Sequence, residues 1–533
     1  MNSGQTLDTP IPISVIGAME PQPAAFFRFL ISWLTPDLAL TAALMTLLWV
    51  FFIFGGATAL FQDSDTGWHI RNGERIISTG LLPHADPFSF SKAGEPWVAW
   101  EWGADVLMGT AHRVSGLAGV ALMYGLCIGA SVWMWFRLNR AAGGNFLLAG
   151  LFFIPTLTTT TLHWLARPHI FSWLFMLGTV WLCERMPHRL RWRHLVLVAI
   201  VAALWANLHA SFFFGPLIAL MYAAGAYLRP LIWEVRAPPI PETLGCSIRS
   251  YTWLALAASA GTLANPNGWR LHQHVFFYLS DSRITDHIGE FQSFDFLTPG
   301  AFPVMLTIAI CFAGGFAALA AQKPARFLLS MLLTALALRS VRALPLAALL
   351  LLPLANGSIA AVLSRAAGLA PGLRHGLDAM LDYGGRLQAL ERRFHGFALV
   401  PLLAILVFAS IRTRAGFPAN QLPVAASAVV ASLPPNARIL APDTFGGYLI
   451  YRFNGERKVF FDGRSDFYGA EFLRRFSRLE GLRTGWRDEF NCWNFTHALL
   501  PPDYRLIPAL EANGWQELYR DRTAVLLSGK PRL

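Results

Sequence analysis

The chain has 533 residues, 54% of them apolar and 14% charged, with 43 lysines and arginines against 32 acids and a formal net charge of +11. So little charge cannot coat a water-soluble particle of this size, so most of the chain is expected to be dissolved in lipid. The basic excess is not a nucleic-acid signature either, because its arginines collect in short links between apolar runs, where they orient a membrane protein and meet anionic headgroups.

Residues 1–37 are proline-rich and weakly charged, carry no cleavable signal pattern, and read as a cytoplasmic segment. About eleven apolar runs of spanning type follow, near 38–61, 117–136, 145–162, 169–184, 195–208, 211–228, 250–264, 300–320, 327–338, 343–362 and 396–411. The long run from 195 to 228 is divided at His209. Basic residues concentrate in the links after the even-numbered runs: Arg137 and Arg140; Arg185, Arg189, Arg191 and Arg193; Arg229, Arg236 and Arg249; Lys323 and Arg326; Arg365, Arg374, Arg386, Arg392 and Arg393. The positive-inside rule then puts the N-terminus in the cytoplasm and three segments on the other side: outer loop 62–116, outer loop 265–299 and residues 412–533. In a bacterium that is an inner-membrane protein with its C-terminal part in the periplasm.

Beyond a linker marked by Pro418, Pro423, Pro434 and Pro435, the pattern changes. ARILAP, RKVFF, THALLP and the pair WQELY and TAVLL read as strands. GGYLIYRF, FYGAEFLRRFSRLEGL and YRLIPALEANG read as helices, the last two closing at Gly481 and Gly514. The expected architecture is therefore a membrane all-α helical bundle over 38–411 with a small soluble α/β domain over 412–533. Cys127, Cys183, Cys246, Cys311 and Cys492 are far apart in sequence and read as packing residues rather than as a disulfide or thiolate set.

Chemistry concentrates between Asp63 and Trp102. Acidic groups at a bilayer surface are costly to keep without a use. Asp63 and Asp65 fit helix capping ahead of Trp68–Ile77, and equally a general base or a carboxylate pair gripping a cation. His69, one turn on, fits an interfacial hydrogen-bonding residue. Glu101 lies among Trp97, Trp100 and Trp102, where desolvation would raise its pKa as a proton-handling group needs; the plain alternative is an exposed glutamate on a surface-lying helix. Further polar breaks fall on the same outer side: Arg167-Pro168-His169, Asn207 and His209, Asn265-Pro266-Asn267-Gly268-Trp269, Glu290, and Arg339 with Arg342. Each has an ordinary explanation as a proline-broken end, an Asn–Pro turn or a snorkelling arginine. Together they offer guanidinium groups suited to a lipid phosphate. Asp462-Gly463-Arg464-Ser465-Asp466 is explained more cheaply as a tight turn and helix cap than as a ligand site, and Gly446-Gly447 lacks nucleotide-fingerprint spacing.

The stretch DSDTGWHIRNGERI…GLLPHADPFSFSKAGEPWVAWEWGADVL resembles the first outer loop of bacterial membrane proteins of the GT-C glycosyltransferase superfamily, in the group related to protein-mannosyltransferases and lipopolysaccharide-core galacturonosyltransferases. WANLHASFFFG, LANPNGWRL, EFQSFDF and GGYLIYRFNGERKVFFDGRSDFYG are similar to further blocks of that group, so the resemblance spans nearly the whole chain. It implies a cytoplasmic N-terminus, about eleven to thirteen spans, a functional aspartate in the first outer loop and a sugar donor carried on a polyprenyl phosphate. The aspartate would be Asp65 or Asp63, Asp65 being favoured because it abuts Thr66-Gly67-Trp68. Glu101 matches the acid of a His-Glu-Trp block, but Trp100 stands in the histidine's place, so no histidine role carries over. Metal use varies across the superfamily; a divalent cation (Mg or Mn) stays a candidate with no ligand set assigned.

The expected function is transfer of a sugar from a polyprenyl-phosphate donor to a glycan, lipid or protein acceptor at the outer face, with inversion. Asp65, Asp63 and Glu101 are the catalytic candidates, Arg167, Arg339 and Arg342 the donor-phosphate candidates, and His69, His169, His209, Asn265 and Glu290 further site candidates. Two rival classes are a lipid or glycan flippase and a non-catalytic membrane assembly protein. Charges gathered at one face, without internal repeats, speak against a carrier.

Overall fold

The computed structural model describes residues 32–186, 190–233, 243–391 and 395–531. The expected cytoplasmic segment through residue 31, and the link residues Arg189, Arg236, Arg392 and Arg393, lie outside the described residues, as does the side chain of Cys246. Among the described residues, fourteen helices of twelve or more residues precede the C-terminal sheet region. They are α1 (Leu38–Phe52), α2 (Asp65–Thr79), α3 (Trp102–Ala141), α4 (Phe146–Thr160), α5 (His169–Glu184), α6 (Trp192–Leu208), α7 (Phe214–Ile232), α8 (Thr243–Thr262), α9 (Trp269–Ser280), α10 (Phe302–Ala320), α11 (Pro324–Arg339), α12 (Leu344–Arg365), α13 (Pro371–Glu391) and α14 (Leu399–Ile411). Eleven of them underlie the eleven apolar runs. Six helical segments are long and apolar enough to cross a membrane, and three shorter apolar ones join them, so the protein is a multi-pass membrane bundle.

Local chemistry sets several helix ends. Asp37 caps α1 by accepting from the Leu40 N–H at 2.8 Å, and Asn145 caps α4 by accepting from the Leu147 N–H at 2.9 Å. The first apolar run does not stay helical to residue 61. Its helix stops at Phe52, and Gly55 and Gly56, at φ of 115° and 75°, turn the chain where no other residue does so freely. α3 breaks at Ser115–Gly116, with Gly116 at φ 61°, so that a leg over 102–114 turns into a span beginning near 117. α12 is apolar on all sides and buried along most of its length, packed against α10, α4, α11 and α3; it is the core of the bundle.

The end of the bundle away from the C-terminal region is locked by buried polar groups. Arg326 is 3% exposed; its guanidinium donates to Glu184 at 2.5 and 2.9 Å and to the Ala142 carbonyl at 2.9 Å, while Tyr222 donates to Glu184 at 2.6 Å. This corrects the reading of Arg326 as a headgroup-facing link residue: α11 begins at Pro324, which carries Arg326 into the bundle. A lone Glu184 there would be prohibitive, and the pair is what makes its burial tolerable.

The C-terminal region holds β1 (Ile439–Leu440), α15 (Asp443–Arg452), α16 (Ser465–Glu480), α17 (Trp486–Trp493), β2 (His497–Leu500), α18 (Leu506–Glu511), β3 (Gln516–Arg520) and β4 (Val525–Ser528). The sheet order is β1-β2-β4-β3, with β1 and β2 parallel and the other pairs antiparallel. RKVFF is not one of its strands. Val459 instead exchanges backbone hydrogen bonds with the 62–116 loop, donating to the Phe88 carbonyl at 3.0 Å and accepting from the Phe90 N–H at 2.9 Å. A short apolar run signals burial but not which backbone it will pair with. The same loop is joined by α2 crossing α15, where Gly67 and Gly447 meet backbone to backbone.

Candidate active site

The first cluster forms where α2 starts. Asp63 accepts from the Asp65 N–H at 2.8 Å with one oxygen, which is the capping role; its other oxygen receives Arg167 Nη1 at 2.6 Å. Asp65 receives Arg167 Nη2 at 3.1 Å, and Gly463 lies so close beneath it that a β-carbon there would overlap the carboxylate. Arg167 is held by its neighbours: the Ala166 N–H donates to the Leu60 carbonyl at 2.8 Å, and Thr66 donates to the Ala166 carbonyl at 3.0 Å. Its Nη1 also donates to Glu290 at 3.0 Å, and Arg342 donates to the other Glu290 oxygen at 2.6 Å while lying over the Phe291 ring. Asp63, Arg167, Glu290 and Arg342 thus alternate in sign across four chain segments. Burial, then the adjacent Asp63, push the Asp65 carboxyl well above its ordinary range. Glu290 resists the same burial because Arg342 and Arg167 hold it low.

The second cluster lies on α2 and the leg of α3. His69 Nδ1 is 2.5 Å from Asp105 Oδ1, Asn72 donates to Asp105 Oδ2 at 2.6 Å, and both His69 and Asp105 are 1% exposed. On the other side of the ring, Nε2 lies 3.8 Å from Glu101 Oε2. His209 accepts the Ser211 N–H at Nδ1, so its remaining proton sits on Nε2, 3.5 Å from Glu101 Oε1. Burial lowers both histidines, His209 to about 3. Burial first, then Asp105, raises Glu101 to about 8. Glu101 therefore stands as a neutral acid between two neutral imidazoles.

Both clusters face a cavity of about 1520 Å³ between the bundle and the C-terminal region. Asp63, Asp65, His69, Glu101, Arg167, His169, His209, Glu290, Arg339 and Arg342 all line it, with Met176, Phe213, Leu336 and Leu346 of the bundle. Arg339 reaches it exposed and without an ion-pair partner among the described residues. His169 lines it while its ring nitrogen is 2.9 Å from the His163 carbonyl. Asn265 does not line it; its amide donates to the Thr262 and Gly268 carbonyls and its oxygen accepts from the Asn267 N–H, closing the turn before α9.

No family model matches the chain, and no curated protein does. Among solved structures it is similar to the archaeal oligosaccharyltransferase AglB from Archaeoglobus fulgidus, in complex with an inhibitory peptide and a dolichol-phosphate, at 13% identity and a TM-score of 0.53. The similarity covers 87% of this chain and 69% of that one. The chain shares the overall fold of that membrane protein, a helical bundle with a smaller C-terminal region. The cavity occupies the end of the bundle that the C-terminal region covers.

The residues present do not fit a resident divalent cation. Among the described residues no three histidine, cysteine or carboxylate groups are placed to hold one, and Asp63, Asp65 and Glu290 each carry a guanidinium nitrogen at ion-pair distance. Of the residues around this site, Asp105 carries no signal in the sequence, and the 462–466 turn carries an ambiguous one, a ligand site weighed against a tight turn and helix cap. Asp105 sits within an apolar stretch, one turn after Glu101. Arg464, 2% exposed, bonds Asp462 at 2.7 Å and Asp86 at 2.8 Å beneath the Trp97 ring, and so ties the 462–466 turn to the 62–116 loop. Asp466 and Ser465, next to it, are each 3.1 Å from a side chain of α9, His274 and Tyr278 respectively.

Proposed function

We propose that the protein is an integral-membrane glycosyltransferase that moves a sugar from a polyprenyl-phosphate donor to an envelope acceptor at the outer face of a bacterial inner membrane, inverting the anomeric centre. The observation that carries this reading is a large cavity at one end of a membrane bundle that brings two aspartates, a buried glutamate and cationic guanidiniums together beside apolar helices. Asp65 deprotonates the acceptor hydroxyl as it attacks the anomeric carbon, and the lipid phosphate leaves with the bonding electron pair already charged. Arg339 and Arg342 face that leaving phosphate and stabilise the charge that builds on it. Asp63 orients Asp65 through its capping bond, and Glu101 donates a hydrogen bond to the bound sugar. The lipid tail lies along the apolar wall, and residues 412–533 form a periplasmic domain that closes the cavity.

Incubating the purified protein with radiolabelled polyprenyl-phosphate sugars and envelope fractions tests this. Label passing to an acceptor or to water supports the enzyme. Label that crosses a proteoliposome membrane with its sugar–phosphate bond intact identifies a flippase and overturns the proposal.

A further inference from the structure

Three carboxylates from two outer loops, Asp63, Asp65 and Glu290, converge on the guanidinium of Arg167 at 2.6, 3.1 and 3.0 Å. Left to themselves, three anions in a partly desolvated pocket repel strongly, and a shared cation is the usual remedy. A divalent ion bridging them is one form of that remedy. The chain supplies another, with Arg167 Nη1 serving Asp63 and Glu290 together and Nη2 serving Asp65.

We infer that Arg167 takes the place of a divalent cation, making the carboxylate cluster of this cavity a metal-independent site in which a fixed guanidinium positions Asp65. The inference concerns the same cavity as the transferase reading and deepens it, but it stands on ion-pair geometry and can be tested without any sugar transfer. Two features support it. Arg167 is side-chain buried to 17% exposure and anchored through Ala166 and Thr66, so its charge is a built part of the pocket and not a mobile surface arginine. Arg342 engages the far oxygen of Glu290, so one Glu290 carboxylate is already shared by two cations and has no oxygen left for a third. Arg167 is also removed from the set that can receive a phosphate, since its nitrogens are committed to carboxylates. That leaves the unpaired Arg339 and the outer edge of Arg342 for the donor.

The role is positional: Arg167 acts on the chemistry through Asp65. A metal ion recovers what the guanidinium supplies only if the two are equivalent in charge and place, and this is a property that a merely structural arginine lacks. The experiment is Mn²⁺ binding by electron paramagnetic resonance on the full chain in detergent. The unsubstituted protein is expected to bind no stoichiometric Mn²⁺, and its thermal unfolding midpoint is expected to be unchanged by a chelator. Arg167→Ala is expected to gain one Mn²⁺ per chain, with affinity roughly ten-fold or more above the unsubstituted protein, once the three carboxylates, freed of the guanidinium that spaces them, close on the ion. Arg167→Lys, which keeps one cation, is expected not to gain it. Where transfer activity is measurable, Mn²⁺ is expected to restore part of the activity of Arg167→Ala and none of that of Asp65→Asn. Should Arg167→Ala not fold, Arg167→Gln keeps the side-chain stem and gives the same readout. Stoichiometric Mn²⁺ on the unsubstituted protein, lost in Asp63→Asn or Glu290→Gln, overturns the inference. So does a folded Arg167→Ala or Arg167→Gln that binds no more Mn²⁺ than its parent. Neither result depends on whether the protein transfers sugars.

Discussion

Asp65 and Glu101 occupy the same cavity but opposite protonation roles, and two substitutions separate them. Asp65→Asn keeps the size of the side chain and removes its basicity. It is expected to lower transfer by roughly 10²–10⁴-fold, the usual worth of a positioned base, while size-exclusion chromatography shows a folded protein. Glu101 behaves differently because its folded pKa, about 8, lies above the roughly 4.3 of an exposed glutamate. Its neutral form therefore favours the folded state fully below the lower value, and that contribution is lost as pH rises through about 8. The unfolding midpoint of the parent is expected to fall between pH 5 and 9 more steeply than that of Glu101→Gln, whose side chain is neutral throughout. If the neutral acid is the working form, transfer by the parent also declines above about pH 8, and Glu101→Gln loses that decline. A parallel pH profile in both proteins would remove Glu101 from this role. The sequence did point to both residues, through acids placed at a bilayer surface. It left open which of Asp63 and Asp65 would cap, and it gave no sign that His69 would be tied to Asp105.

Among elements, the crossing of α2 on α15 holds the site together. Gly67 and Gly447 let the two backbones touch, and a β-carbon on Gly447 would overlap the Ser64 carbonyl, one residue from Asp65. Gly447→Ala is thus expected to cost about 1–3 kcal/mol through overpacking, seen as a lowered unfolding midpoint. It should also raise the protease sensitivity of the 412–424 linker, because the C-terminal region loosens from the first outer loop. An unchanged midpoint would mean the helices separate without cost. Here the sequence was only half informative. The Gly446-Gly447 pair does not carry a nucleotide motif, but nothing local to it names Gly67 as its partner, since the contact joins residues 380 positions apart. Helices α15, α16 and α18 were visible from periodicity, the last two with closing glycines, whereas α17 was not. RKVFF was not, because its hydrogen-bonding partner belongs to the first outer loop and not to the sheet.

At the scale of the whole molecule, orientation is testable through cysteines. Cys492 is exposed on α17, whereas Cys183 and Cys311 are buried and Cys127 is half-buried in the bundle. In a Cys246→Ser background, a membrane-impermeant maleimide applied to intact spheroplasts is expected to label Cys492 alone. Labelling only after lysis would put the C-terminal region, and the cavity beneath it, on the cytoplasmic side. What the sequence by itself determined is the part of the protein governed by transfer into lipid: a bundle of apolar helices, the alternation of basic links and the outer stretch rich in acids and tryptophan. Those are sums over neighbouring residues and need no knowledge of distant ones. The tertiary structure alone decided which charges meet. Arg167 reaches Asp63 across 104 residues and Glu290 across 123, and Asp105 reaches His69 from another helix. A buried charge is stable only beside its partner, and partnership is a property of the packed chain rather than of any stretch of it.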